Sequence, residues 1–289
     1  MLILACDTTS EHGGAAIYRD LECLACARNQ DRANYSVTLF RMVEGLLAQL
    51  NLSLRDIELF AVATGPGSFT GIRVGIAATQ GWAQAFERPV RGVSVLEAMV
   101  EEAPPESVWA APILDARRGE FFVGLFRRDG ESRPATGSRT VGHGTGAWGY
   151  TVAPGSQIGK ATERDPALKL GGALASRPVG SSIQTSTQKP GDHGLVLAQN
   201  SLRQFFEEFA TGERANQPIC CLVREHDKAA QELRSTFPGH LRWQSVQGWL
   251  VDAVARLAVF AQEEGRLESP GELNACYIRC SDAELHWKG

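Results

Sequence analysis

Asp7-Thr8-Thr9-Ser10 follows the apolar run Leu2 to Cys6, so an acid and three hydroxyls stand where a first strand turns. That set suits phosphate: the carboxylate can address a metal ion or a water, and the hydroxyls can donate to oxygen. The same residues also read as a capped hairpin turn, a degenerate nucleotide or phosphate site kept from a nucleotide-binding ancestor. A kinase would need a second phosphate loop in its other lobe, and Gly171-Gly172 is the one candidate.

A second constellation runs Gly65-Pro66-Gly67-Ser68-Phe69-Thr70-Gly71-Ile72-Arg73. The apolar strand Ile57 to Thr64 precedes it, and Ile72, Ile76, Ala77, Thr79, Gln80 and Ala83 follow at helical spacing. Glycine permits positive φ and close backbone approach, so free N–H groups at the helix start could face an anion or a partner's backbone. The plainer alternative is a strand-to-helix turn that binds nothing. Arg73 opposes the helix dipole in the first turn, which points it toward a partner or a loop. Arg117-Arg118 could meet phosphate on a nucleotide or on tRNA, or serve only as solvated surface.

The cysteines offer a third pattern. Cys23-Leu24-Ala25-Cys26 has the spacing of a redox or zinc half-site, with Cys276 and Cys280 as a conceivable complement. Residues three apart on a strand point to opposite faces, so the pair should not converge without a turn. Partly buried strand cysteines are the expectation, for this pair as for Cys220-Cys221, and no metal site is expected. Seven cysteines in a chain whose N-terminus lacks an export signal argue for reduced thiols and a cytoplasmic protein.

The elements that must position these groups fall into two lobes. Leu2 to Cys6, Gly14 to Tyr18 and Leu21 to Ala27 read as a three-stranded meander. A helix is predicted from about Ser36 to Leu50, its apolar face built on Phe40, Val43, Leu47 and Leu50 and widened by Leu39, Met42 and Leu46. So wide a face has two surfaces to cover. Ser53 with Asp56 resembles a helix cap, and Ser94 with Glu97 has capping-box spacing ahead of a short helix that stops before Pro104-Pro105.

These elements close a first α/β lobe over residues 1–103, leaving 104–289 as the second. That lobe opens with Val108 to Leu114, a turn at Asp115 to Gly119, and Glu120 to Phe126. Residues from about 132 to 193 show neither period and read as an insertion, mostly loop or disordered. Leu195 to Ala210 reads as helix, Ile219 to Val223 as strand, Asp227 to Phe237 and Trp249 to Glu264 as helices, and Ala275 to Arg279 as a last strand. The paired meanders could reflect two related halves.

Composition sets the outer bounds. With 29 basic and 33 acidic residues the formal charge is -4, which marks no autonomous polyanion binder; an RNA substrate would have to be held by something else. No apolar run reaches the roughly 20 residues of a membrane span.

Residues 1–127 resemble the TsaB (YeaZ) family, partner proteins in tRNA threonylcarbamoyladenosine (t6A) biosynthesis, within the glycoprotease-like (M22-type) group of actin/hexokinase-like (ASKHA) folds. The resemblance rests on Leu4 to Ser10, the stretch Gly65 to Arg73, Gly75-Ile76-Ala77, Gln80-Gly81, Gly92-Val93-Ser94 and Asp115 to Glu120. Tyr277-Ile278-Arg279 and Ser281-Asp282-Ala283-Glu284 resemble its C-terminal end, whereas residues 132–193 match nothing in it.

The resemblance implies a two-lobed α/β fold, each lobe a mixed sheet flanked by helices, and a non-catalytic scaffold rather than an enzyme. It implies a heterodimer with a TsaD-like catalytic subunit, a TsaE-like ATPase in the same assembly, and tRNA reached indirectly. No cofactor is implied in this chain, while ATP and a metal ion are implied for the partner complex. Docking through helices of the N-terminal lobe suits Phe40, Val43, Leu47, Ile76, Ala77, Gln80 and Gly81; a homodimer would bury the same helices against themselves. The group's catalytic members carry two histidines four apart on a helix, and here that region reads Asn34-Tyr35-Ser36-Val37-Thr38. Histidines fall at 12, 143, 193, 226, 240 and 286, none of them four apart. The competing reading is an ATP-dependent kinase or an independent acyltransferase of the same fold.

Overall fold

The computed structural model describes residues 1–29, 34–132, 146–150, 184–185, 195–209, 218–237, 239, 241–276 and 278. It divides into two units, one made of Met1–Glu101 with Gln247–Cys276 and the other built on Glu102–Val246.

The first unit grows from β1 (Leu2–Asp7), β2 (Gly14–Arg19), β3 (Glu22–Arg28), β4 (Leu59–Gly65) and β5 (Val90–Ser94) in the order β3-β2-β1-β4-β5. β1, β2 and β3 pair antiparallel; β1, β4 and β5 pair parallel. β4 is buried at every position, as befits a central parallel strand covered on both faces. Leu4, Cys6, Ile17, Phe60 and Val62 share one core with Leu39, Val43, Ile72 and Ile76. These last four come from α1 (Tyr35–Gln49) and α2 (Phe69–Ala85). The alternate strand residues Ile3, Ala5, Leu59 and Ala61 are fully buried on the opposite face, where α6 (Val251–Glu263) lies along β1 and β4.

Local chemistry explains the helix ends. Asn34 caps α1 by accepting from the Ser36 amide at 3.1 Å, and the Ser68 side chain caps α2 by accepting from the Gly71 amide at 3.3 Å. Ser53 and Asp56 form their reciprocal box, but around a single 3-10 turn, Leu54–Asp56. The box expected at Ser94 does not form. Ser94 makes no cap hydrogen bond to α3 (Val95–Val100), and the Glu97 carboxylate that would complete the box meets Arg91 at 3.3 Å, which also meets Glu268 at 3.5 Å. Balancing a nearly buried guanidinium outweighs satisfying one amide.

A boundary near residue 103 with all later sequence in one lobe does not hold. Residues 247–276 return to the first unit. The apolar stripe of α6 covers the second face of the sheet, and the chain beyond it runs along the β5 edge, where Val90 and Glu268 exchange hydrogen bonds of 3.0 and 2.9 Å. Gln80 donates to the Pro270 and Leu273 carbonyls, and the Cys276 amide donates to the Thr64 carbonyl at 2.9 Å. Ala275 and Cys276 are irregular rather than strand; Tyr277 and Arg279, which completed the expected strand, lie outside the described residues.

The second unit contains β6 (Trp109–Arg117), β7 (Glu120–Val123), β8 (Phe126–Ser132), β9 (Gly146–Tyr150), β10 (Gln184–Thr185), β11 (Leu195–Ala198), β12 (Ile219–Arg224) and β13 (Arg242–Val246). Its main sheet runs β10-β11-β7-β6-β12-β13, with β8 pairing β6 and β9. β9 and β10 put two short strands inside the stretch read as an insertion; Gly171-Gly172 and the rest of that stretch lie outside the described residues. Leu195 to Ala198 is a strand, not the first turn of a helix, because it pairs with β7 before α4 (Gln199–Phe209) begins. β13, which sequence reading missed, pairs parallel with β12, and α5 (Lys228–Thr236) connects the two.

The two sheets share a plan. In β3-β2-β1-β4-β5 and in β11-β7-β6-β12-β13, the first two pairings are antiparallel and the last two parallel. The chain has built one topology twice.

Candidate functional site

The β1–β2 turn and the β4–α2 junction meet inside the first unit. Asp7, Thr8 and Thr9 are buried. Both the Thr9 amide and the Thr9 hydroxyl donate to Asp7 Oδ1, at 2.8 and 2.6 Å, and the Thr8 hydroxyl donates to the Gly71 carbonyl at 2.7 Å. The Ser68 amide donates to the Thr9 carbonyl at 2.7 Å. Ser10 lies at the rim, its carbonyl accepting from the Tyr35 hydroxyl at 2.8 Å and its Oγ from the His12 amide at 3.4 Å. Asp7, Thr8 and Thr9 thus spend these groups on one another and on the signature loop.

The glycines make that closure. A Cβ on Gly71 would fall inside contact distance of the Thr8 carbonyl oxygen, one on Gly75 inside that of the Thr8 hydroxyl, and one on Gly67 would stand 2.8 Å from Thr9 Cβ. Gly65 has φ +114°, which favours glycine, and a side chain there would meet Ile72 Cδ1 at 2.9 Å. The close approach foreseen for this loop is made to the chain's own first turn. On that side of the turn the start of α2 is packed directly against Thr8 and Thr9.

Gly67, Ser68, Phe69 and Thr70 are exposed at the outer side of the loop. Arg73 stands over the Phe69 ring, with its Cζ 3.9 Å from the centroid, and Phe69 remains 41% exposed. Phe40 packs edge-on against Trp82 with centroids 5.7 Å apart, yet is 43% exposed; Val37, one turn earlier on α1, is 54% exposed. Ala77 and Gly81 are exposed on α2, and a Cβ on Gly81 would meet nothing within 4 Å.

This outer face is where the anticipated interface residues divide. Phe40, Ala77 and Gly81 present themselves there, whereas Val43, Leu47 and Ile76 are buried in the core, because the sheet uses most of the wide apolar face of α1. Gln80 holds the Pro270 and Leu273 carbonyls. Val37 was not among the anticipated residues, and Phe69 was anticipated only as part of the signature loop; Val37 is three residues from Phe40 and so on its side of the helix, which was the signal available.

The corresponding junction of the second unit follows the same logic with other chemistry. The β6–β7 hairpin turns through Arg117, Arg118 and Gly119 at φ +65°, +60° and +75°. Asp227 caps α5 by accepting from the Ala230 amide at 2.9 Å and ties that helix to the hairpin by accepting from the Asp115 amide at 2.7 Å. Burial pushes the Asp227 carboxyl above the usual range, opposed by those two amides. Among the described residues no group of three or more His, Cys, Asp or Glu side chains is placed to hold a metal ion, and no helix is long and apolar enough to cross a membrane.

The cysteines at 23 and 26 are placed differently from expectation. A β-bulge shifts the β2–β3 register so that Cys23 opposes Tyr18 while Cys26 opposes Ala16. Tyr18 and Ala16 are two residues apart, so both cysteines share one face, and both are exposed rather than partly buried. Cys220 and Cys221 are buried strand residues.

The family model for TsaD, tRNA N6-adenosine threonylcarbamoyltransferase, matches residues 29–179. The chain is 33% identical over 127 residues to the tRNA threonylcarbamoyladenosine biosynthesis protein TsaB of Bacillus subtilis, covering 44% of this chain and 56% of that protein. It is 37% identical over 137 residues to Escherichia coli TsaB, covering 45% and 56%. The chain thus spans about half the length of the curated TsaB proteins it matches. An uncharacterized Mycobacterium tuberculosis protein is 30% identical over 200 residues, covering 68% of this chain and 84% of that one. The structure of YeaZ from Pseudomonas aeruginosa superposes with TM-score 0.58 at 18% identity over 94% of this chain and 96% of that one, a likeness of fold. With its paired mixed sheets of actin/hexokinase type and these sequence matches, the chain belongs to the TsaB/YeaZ family, inside the wider group that the TsaD model describes.

Proposed function

We propose that this chain is a non-catalytic accessory subunit for t6A modification of the adenosine next to the anticodon in tRNA, working in the cytoplasm. It pairs with a TsaD-like catalytic subunit through the outer face of α1 and α2, and a TsaE-like ATPase joins the assembly. The similarity to TsaB proteins of tRNA threonylcarbamoyladenosine biosynthesis supports the pathway. The observation that carries the accessory role is the closed first turn, where the hydroxyls of Thr8 and Thr9 are bound to Gly71 and Asp7 and α2 occupies the adjoining space. Beside that closed turn lies an apolar patch of Val37, Phe40 and Phe69 with Ala77 and Gly81 offering close backbone approach.

ATP and the metal ion belong, in this reading, to the partner complex, and tRNA is held there as well. The -4 charge of this chain accords with that division. The test supplies transcript, threonylcarbamoyl donor, ATP and magnesium to the purified chain alone and then with its TsaD-like and TsaE-like companions. Modified adenosine is expected only in the second case. Turnover by the lone chain would favour an autonomous acyltransferase, and ATP hydrolysis or phosphoryl transfer by it would favour a kinase.

A further inference from the structure

The edge strand β3 carries a feature that the docking face does not use. Leu24 and Ala25, consecutive residues, both pack toward the α1 side of the sheet, Ala25 within the core and Leu24 against it. That is the signature of a bulge, since successive strand residues otherwise alternate. Cys23 and Cys26 are therefore brought to the other face, opposite Tyr18 and Ala16, which stand two residues apart on β2. Tyr18 in turn donates to Asp252 at the start of α6, Trp249 Nε1 donates to the same carboxylate oxygen at 2.8 Å, and Arg28 stacks on the Trp249 ring with its Cζ 4.7 Å from the centroid. This frame fixes the floor of the pair while leaving both thiols open to solvent.

We propose that Cys23 and Cys26 form a dithiol modification site that reacts with low-molecular-weight disulfides and closes to an intramolecular disulfide. One cysteine thiolate attacks the small disulfide, forming a mixed disulfide and expelling one small thiolate. The other cysteine thiolate then attacks the protein sulfur of the mixed disulfide, forming the Cys23–Cys26 bond and expelling the second small thiolate. Two protein thiols are oxidised by two electrons, one small disulfide is reduced to two small thiols, and the protons of the cysteines end on the released thiols. Proximity makes the second step intramolecular, so the mixed disulfide is short-lived. The described remaining cysteines, Cys6, Cys220, Cys221 and Cys276, are buried and do not compete. Burial first, then the neighbouring Cys26 and the Asp252 carboxylate, hold the Cys23 thiol above its ordinary value, which lowers its thiolate fraction at neutral pH.

The experiment uses the full chain carrying Cys280→Ser, exposed to oxidised glutathione and read by intact mass and thiol count. Loss of two thiols with no glutathione retained is expected, and adding Cys23→Ser or Cys26→Ser should convert this to one retained glutathione. Two glutathiones retained on the Cys280→Ser chain, no reaction at all, or the same two-thiol loss in either single serine variant would overturn the proposal. A measurement that needs no change at the pair is phenylarsine oxide at one equivalent on the same chain. It should bridge both sulfurs and protect them from iodoacetamide, whereas alkylation of both cysteines in its presence would show that the thiols do not act together.

Discussion

Gly71 and Tyr18 show how single side chains, or the lack of one, set local order. Gly71→Ala would press a methyl into the Thr8 carbonyl, and backbone on both sides leaves nothing flexible to yield. A loss of about 1–3 kcal/mol is expected, measured as a shift in urea midpoint at unchanged m-value. The contact that makes this glycine necessary was invisible in sequence because its partner is Thr8, in a turn far earlier in the chain. The residue type was legible, but its reason was not.

Tyr18 gives the pH counterpart. Burial first, then its hydrogen bond to Asp252, push the phenol far above its ordinary value of 10.0. The folded state therefore keeps a proton that the unfolded chain releases, so stability from this group is complete below pH 10 and is lost as pH rises above it. Tyr18→Phe should remove that contribution to the alkaline decline, and a wild-type and variant pair with parallel stability curves between pH 9 and about 11 would contradict the assignment.

Elements reveal where periodicity suffices and where pairing decides. α1, α2 and α6 were legible because their apolar stripes are long, and the strand β4 because it is buried throughout. Leu195 to Ala198 was not, since four apolar residues leading into a helix carry no period of their own and only β7 selects strand. β13 reads Arg-Trp-Gln-Ser-Val, too polar to signal a strand at the sheet edge. The α1 stripe misled in a different manner: it was correctly seen as broad, but the sheet consumes Val43 and Leu47, leaving Val37 and Phe40 outside.

The docking reading is tested at this scale. Gly81→Trp or Ala77→Trp should leave the urea midpoint within about 1 kcal/mol of the parent, given open space at Gly81 and exposure at both positions. The same changes should weaken capture of the TsaD-like subunit at least tenfold, read by titration calorimetry. Unchanged affinity in both variants would move the interface elsewhere.

At the level of the whole chain, one topology appears twice, and in each copy the first hairpin is fastened to the helix that follows the fourth strand. In the first unit the fastening is Thr8 to Gly71 and Ser68 to Thr9; in the second it is Asp115 to Asp227. Two opening meanders hinted at related halves, but the later parallel strands were needed to show that the order repeats. The discontinuity of the first unit left no mark in composition, because an amphipathic helix such as Val251–Glu263 does not declare which sheet it covers. Removing everything after Val246 should strip that cover from Ile3, Ala5, Leu59 and Ala61. Such a truncated chain is expected to lose the cooperative unfolding transition of residues 1–101 and to bind a hydrophobic dye; a retained native transition would show that α6 is dispensable.

Chain order gives that discontinuity a temporal meaning. A ribosome releases residues 1–101 long before it releases 247–276, and the entire intervening unit emerges between them. During that interval the first sheet has its α1 and α2 side available for packing but not its α6 side. The earliest-made half of this protein is thereby among the last to be finished, and anything that assembles on α1 and α2 during synthesis would engage a sheet whose rear is still bare.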